Sequence, residues 1–325
     1  DSLIADSMQL DTIKFRIRSD HDEFNYQAQV INNKENPQYV FHAVADGRLN
    51  ERGSYLRTKL YDADNKLGVD VALLAELEHR SIRFSVADAH PILGYKNFTV
   101  NDSNYVLLSD DRRVSANVEL RSTDGMGLKV YTNDGNLDAL QDVTISLHQF
   151  QLHDILSVVP YMPNISGILD GDYHLIQTKD ELSVSSDMTI HRLIYENCPM
   201  GDIGTEFVYM PKHDGSHVVD GLLTQNGHEI ALINGSYRSG GKGNIDAKIT
   251  LERTPLSLVN GFIPQQLIGF KGTAEGSLSL KGTLKNPNVN GEVYLDSAYL
   301  VSVPYGIEMR FDNDPVTITN SKLLF

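Results

Sequence analysis

A single cysteine, Cys198, rules out any disulfide within the chain and leaves cysteine usage silent about redox compartment. Basic residues are scarce: 28 Lys and Arg stand against 43 Asp and Glu, a net charge of −15. No basic stripe exists to displace counterions from phosphate, so the charge disfavours nucleic acid as a partner, and it disfavours adhesion to an anionic membrane as well. No apolar run approaches the roughly 20 residues that span a bilayer as a helix, and no secretory leader pattern opens the chain at Asp1. The long βαβ rhythm of a parallel nucleotide-binding sheet is missing as well.

Alternation is what the sequence has instead. Ile13, Phe15 and Ile17 alternate with Lys14, Arg16 and Arg18, and Phe24, Tyr26, Ala28 and Val30 repeat the device. Further runs follow at 39–44, 55–60, 69–77, 82–86, 98–100, 105–108, 114–120 and 128–131, with Asp46-Gly47, Arg52-Gly53, Thr123-Asp124-Gly125 and Asn133-Asp134-Gly135 read as punctuation. Ile245, Ala247, Ile249 and Leu251 form the cleanest half-buried strand. At 325 residues and 41% hydrophobic content the chain can bury ample core. The expectation is an all-β protein, an antiparallel sheet that grows along one axis with short helices at its junctions. Its apolar face must be covered, either by folding on itself into a closed sandwich or by curling into a trough left for a ligand.

The stretch from Gly272 to Phe311 organises the reading, with Gly272, Gly276, Gly282, Pro287, Gly291, Pro304 and Gly306 marking where the chain turns. It has an earlier partner. An offset of 105 carries Gly272 to Gly167, Gly276 to Gly171, Leu280 to Leu175, Val289 to Val184, Pro304 to Pro199 and Gly306 to Gly201. Residues 165–201 hold this register without a gap and share seven identities in thirty-seven positions, where composition alone gives roughly two. Upstream the offset is 104, and Ile145-Ser146-Leu147 falls on Ile249-Thr250-Leu251. Both strands lead into a helical pattern: Leu152, Ile155, Leu156 and Val159 before Pro160, then Thr254 as cap and Pro255 as first residue ahead of Leu256, Val259, Ile263 and Pro264. The segment RFSVADA, followed by Pro91 and Gly94, reads as a faint earlier copy of VYLDSA with Pro304 and Gly306. Three segments result: a degenerate β segment at 1–144, one repeat at 145–248 and a shorter copy at 249–325.

Sites for chemistry are weighed against simpler meanings. His148 and His153 miss the i, i+4 spacing of helical zinc ligands, and His213 and His217 sit in a polar loop. Asp62-Ala63-Asp64-Asn65 opens like a calcium loop but lacks its glycine and closing glutamate, and reads as a hairpin turn. No G-x-S-x-G elbow is present, Cys198 aligns with Val303 as a small buried residue, and Gly240-Gly241 fits no phosphate cradle. No enzyme, metal or cofactor is expected.

The pattern G-x-x-x-G-x-L-x-L-x-G-x-x-x-x-P-x-x-x-G at Gly272–Gly291, with the Tyr305-Gly306 turn after it, resembles the TamB family of the translocation and assembly module, related to the AsmA-like proteins, in the version found in the Bacteroides group. The resemblance is clearest over 145–325. It implies a β-taco-like hydrophobic trough and a periplasmic protein of a Gram-negative envelope, held by an inner-membrane anchor outside this sequence. It also implies phospholipid or other acyl-chain cargo carried between the inner and outer membranes, and an outer-membrane β-barrel partner. On this reading Leu175, Met188, Ile190, Ile249, Leu251, Leu280, Val293 and Leu295, each on the apolar phase of its run, line the groove. Assembly of outer-membrane β-barrel proteins, and a structural or adhesive β-solenoid, are the alternatives.

Overall fold

The computed structural model describes all residues except 1, 2, 6, 7, 21, 37, 38, 112, 136–138, 161, 239–242, 264–266, 284, 285, 303, 313, 314 and 325. Gly240-Gly241, Pro264 and Val303 lie outside the described residues. The protein is all-β, its described pairings are antiparallel, and its helices are short. It divides into two compact units, residues 1–164 and 165–325. That division falls inside the first repeat, because the helix after its opening strand packs backward onto earlier strands.

In the first unit β1 (Leu3–Ala5) and β2 (Met8–Leu10) form a separate ribbon. A meander then runs through β3 (Thr12–Asp20), β4 (Glu23–Asn32), β5 (Phe41–Asn50), β6 (Gly53–Tyr61) and β7 (Leu67–Glu78), each paired with the one before it. Asp46 and Gly47 lie inside β5 rather than at a turn. Gly47 is there for room: a Cβ would come within 2.1 Å of the Tyr26 ring on the neighbouring strand. Beyond β7 the sheet continues through two broken columns. β8 (Ser81–Val86) and β9 (Ile92–Leu93) both pair with β7, while β10 (Lys96–Val100) and β11 (Tyr105–Leu108) both pair with β12 (Val114–Ser122). The columns join through β9–β10 and β8–β11. Asn104, buried at the break, stitches it: its Oδ1 accepts the Val86 N–H at 2.6 Å, and its amide donates to Val86 O and Asn101 O. A buried backbone group left by a broken ladder needs such a partner. β13 (Gly127–Thr132) and β14 (Gln141–Gln151) complete the sheet, and α1 (Leu152–Leu156) follows directly.

The second unit is a plain meander of longer strands. It comprises β15 (Ile165–Gln177), β16 (Leu182–Tyr195), β17 (Cys198–Pro211), β18 (Ser216–Gln225), β19 (His228–Arg238) and β20 (Asn244–Pro255), then the 3₁₀ helix η1 (Leu256–Phe262), then β21 (Ile268–Thr283) and β22 (Asn286–Ser302). β22 pairs with both β23 (Ile307–Arg310) and β24 (Val316–Thr319), and β24 with β25 (Lys322–Leu324). Gly282 and Pro287 pair with each other next to the end of the β21–β22 ladder, so the chain reverses between them as expected, while Gly291 lies further inside β22 opposite Leu278.

The backbone repeats with the sequence. Gln149 and Arg253 share a positive φ (48° and 52°), as do Arg192 and Ser297 (51° and 48°). At Arg192, Arg253 and Ser297 the ladder shifts register, an arrangement that bends a strand locally. Gly171 and Gly276 sit at φ +144° and +154°, where a Cβ would meet the carbonyl oxygen of Asp187 or Glu292 at 2.2 Å. Only glycine fits both demands.

The helices depart from the expected pattern. α1 has five residues, and the fully buried side chain after it is Val158, whereas Val159 faces outward. Thr254 does not cap η1. Its hydroxyl donates to Ile230 O at 2.5 Å, Pro255 ends β20, and Ile263 is extended. A bulge at Arg253 turned the apparent cap into a strand residue. Cys198 is half-buried, opposite Tyr195 at the β16–β17 turn.

Candidate functional site

Register fixes which residues share a face. In the first unit one face carries Ile13, Phe15, Ile17, Phe24, Leu49, Leu73, Leu77, Ile82, Phe84, Leu108 and Ile145. These eleven are all the large hydrophobics exposed on the described residues of β3–β14. Phe15 is 64% and Leu77 58% exposed. Scattered exposed apolar residues are ordinary, but confinement to one continuous face is not.

The same face is closed at one end. Phe98 (0% exposed), Val118, Leu120 and Met126 form a buried cluster, with Leu93, Val100, Leu128, Phe150 and Ile155 of α1 packed against it. The helix segment fits tightly: a Cβ on Gly68 would meet Val158 Cγ1 at 2.3 Å, and one on Gly94 would meet the Asp154 carbonyl oxygen at 2.7 Å. The apolar face therefore grades from packed core under α1 to open surface at the far ends of β3–β8 and β11.

A polar tether holds α1 down. Lys96 Nζ donates to Asp124 Oδ2 at 2.5 Å and to Gln151 Oε1 at 3.1 Å, and pairs with Asp154 Oδ2 at 2.7 Å. Partial burial opposes the Lys96 charge, but the two carboxylates outweigh it and raise its pKa. The bond from Lys96, with a second from Ser122, lowers the Asp124 carboxyl to about 2. A carboxylate held below its unfolded value, roughly 3.9, stabilises the docked state fully above that value and loses the contribution as pH falls toward the folded one. We therefore expect α1 to loosen between about pH 4 and pH 2, seen as a shift of the Ile155 and Val158 methyl signals. Lys96→Met should show the loosened spectrum already at pH 5; signals that stay fixed down to pH 2 would refute the tether.

The opposite face of this unit is polar and internally paired. Asp70 takes a two-pronged bond from Arg57 (2.7 and 2.8 Å) and lies 3.5 Å from Lys59 Nζ, and the Arg57 bond chiefly lowers its pKa. Asp62 closes the β6–β7 hairpin: its Oδ1 accepts the Asp64 and Lys66 amides and its Oδ2 the Tyr95 hydroxyl.

In the second unit the register places all eight sequence-predicted residues on one face. Leu175 pairs with Val184 on the strand that carries Met188 and Ile190, Ile249 with Leu278, Leu251 with Gly276, Leu280 with Val289, Gly276 with Val293 and Ala274 with Leu295. Met188 and Val293 are buried and the other six half-buried. Tyr173 and Ile233 share this face and are exposed, with Phe207 edge-on to Tyr173 at 6.1 Å. Here η1 closes one end. A Cβ on Gly261 would meet Met200 Cε at 2.3 Å, Phe262 lies tilted against Tyr195 with ring centroids 5.0 Å apart, and Asn260 bonds both N and O of Phe270. β20 and β16 are four strands apart, about 19 Å in a flat sheet. A seven-residue 3₁₀ helix, about 14 Å long, closes that gap. The sheet must curl at this end.

A cleft of about 1140 Å³ in the second unit is of another kind. Thr250, Ser277, Glu292, Glu275 and Tyr294 of the polar face line it, with Glu229, Glu252, His228 and Arg253. Four glutamates against one arginine make its charged lining acidic. His213 bonds the Asp180 carbonyl, and His217 is stacked between Tyr209 and Tyr237, so these two histidines serve separate partners. Among the described residues no group of three metal-type ligands converges, and no helix is long and apolar enough to cross a membrane.

Set against known protein families, curated proteins and solved structures, the chain gives no match in any of the three comparisons.

Proposed function

We propose that this is a non-enzymatic envelope protein of the TamB-like kind, which shields phospholipid acyl chains against an apolar sheet face as they cross the periplasm. The observation that carries the reading is the first unit's face, whose exposed leucines, isoleucines and phenylalanines all lie on one side of the sheet, closed at one end by α1. A lipid in water exposes CH₂ groups at roughly 0.8 kcal/mol each, and an apolar face of this extent offsets that cost without placed polar groups. Binding on these terms follows chain length rather than headgroup. An interior packed solid, as a structural or adhesive solenoid requires, is not favoured by so many exposed side chains. An outer-membrane β-barrel protein is the partner such a role calls for. Native mass spectrometry of the purified chain should find lipid adducts that survive desalting, and a photocrosslinker at Phe84 should label acyl chains. A chain that stays adduct-free in lipid-saturated buffer, with no lipid crosslinked at position 84, would sink the proposal.

A further inference from the structure

One polar group on the apolar face of the second unit has no use within the fold. Ser186 lies in β16 between Val184 and Met188, and the register puts it on the side that carries Leu175, Ile190 and Phe207. It is 5% exposed. Among the described residues its hydroxyl is the one buried side-chain oxygen or nitrogen that no protein group bonds. A hydroxyl enclosed by apolar neighbours costs stability when left so, and it calls for a partner.

Two rings cover it. Ser186 stands directly opposite Tyr173 of β15 on one side and Phe207 of β17 on the other. Those strands are second neighbours, about 10 Å apart in a flat sheet. The ring centroids are nonetheless 6.1 Å apart, edge to face, so the rings lean toward each other across Ser186. Tyr173 is 37% exposed and Phe207 half-buried. An edge-on pair at the surface is a modest contact that side-chain rotation undoes.

The chemistry of the spot sets what it takes. Its hydroxyl donates to an acceptor oxygen, and that oxygen must arrive on an apolar body. A phosphate, an ammonium or a carboxylate would have to shed its water against Val184, Met188 and the two rings. The neutral carbonyl of an acyl ester meets both demands. We propose that Ser186 is the polar contact of this face: an ester-linked acyl chain parts Tyr173 and Phe207, and its carbonyl oxygen accepts the Ser186 hydrogen bond. The chain then lies along Met188 and Ile190, toward the end that η1 closes. The proposal rests on the acyl-binding reading and adds to it a choice between acyl and alkyl chains.

The test compares two lysophosphatidylcholines of equal chain length, one ester-linked and one ether-linked. A diazirine amino acid in place of Ile190 reports this face alone, through the lipid concentration that half-saturates crosslinking at position 190. The ester should half-saturate at about a five-fold lower concentration than the ether, as one hydrogen bond to a buried hydroxyl supplies. Ser186→Ala should take both lipids equally, at the concentration the ether needs in the unmutated chain. It should also melt no lower, because the hydroxyl holds nothing in the fold. Equal crosslinking of the two lipids by the unmutated chain overturns the carbonyl contact and leaves the acyl-binding reading standing. Crosslinking of neither overturns both. An ester preference that survives Ser186→Ala, or a lower melting temperature in that variant, also overturns the contact.

Discussion

Phe98→Ala is expected to cost the first unit about 3–5 kcal/mol, the usual range for emptying a fully buried aromatic site. Phe98 is completely enclosed and stands where β9, β10 and β12 meet, against Val118, Leu120 and Met126. The void would open where β10 is held by only short ladders to β9 and β12. Met126 can shift into part of it, since its side chain is long and flexible, so the lower half of the range is the better expectation. Denaturant melts of wild type and variant, followed through tyrosine signals, give the number. A loss below about 1 kcal/mol would show that the packed end under α1 is not the anchor of the unit.

The same face should answer in the opposite way a few residues along. Leu77→Arg and Phe84→Arg place a cation on the open part of the surface, where the side chain reaches water without burial. Stability should change by no more than about 0.5 kcal/mol, as for an exposed substitution. Binding should change greatly: we expect the affinity for a fluorescent fatty acid to fall at least ten-fold, because the charge must be desolvated when an acyl chain lies over it. Leu295→Arg in the second unit is the stricter comparison. Leu295 is half-buried and pairs with buried Ala274, so some destabilisation should accompany any loss of binding there. If Leu77→Arg unfolds the protein, the face is an ordinary core. If it binds acyl chains as wild type does, the face is not a lipid surface.

Alternation made the strands legible. The runs at 13–17, 24–30 and 245–251 are strands with the faces that their side chains imply, because period two leaves no freedom once one face is apolar. The same kind of run carries the open face of the first unit, but no glycine pattern marks it as the repeat is marked, so alternation alone does not single it out. What alternation cannot show is the third dimension. Gly47 looked like a turn because nothing local reveals that Tyr26 of the adjacent strand needs its space. The positive-φ residues Arg192, Arg253 and Ser297 carry no local signal, and the bulge at Arg253 displaced the expected helix start by shifting the phase of β20. The acidic cleft was beyond reach for a similar reason: its glutamates come one from each of four successive strands, and only the bends gather them.

Strand order in the second unit follows sequence order, and this governs how the chain can form. From β15 to β22 each strand finds its partner as soon as the next hairpin is made, so most contacts are local and loop closure costs little at any step. The exception is the approach of η1 to the β16–β17 turn, which joins residues 195 and 262. That contact cannot exist until the four strands from β17 to β20 have been laid down, so it should appear later than the hairpins that precede it as the polypeptide emerges. Until then an incomplete sheet presents its apolar side and a bare growing edge, the two features most prone to aggregation. Helix docking thus doubles as a completion check: a chain halted before Phe262 stays sticky, and one that passes it closes the end of the sheet behind itself.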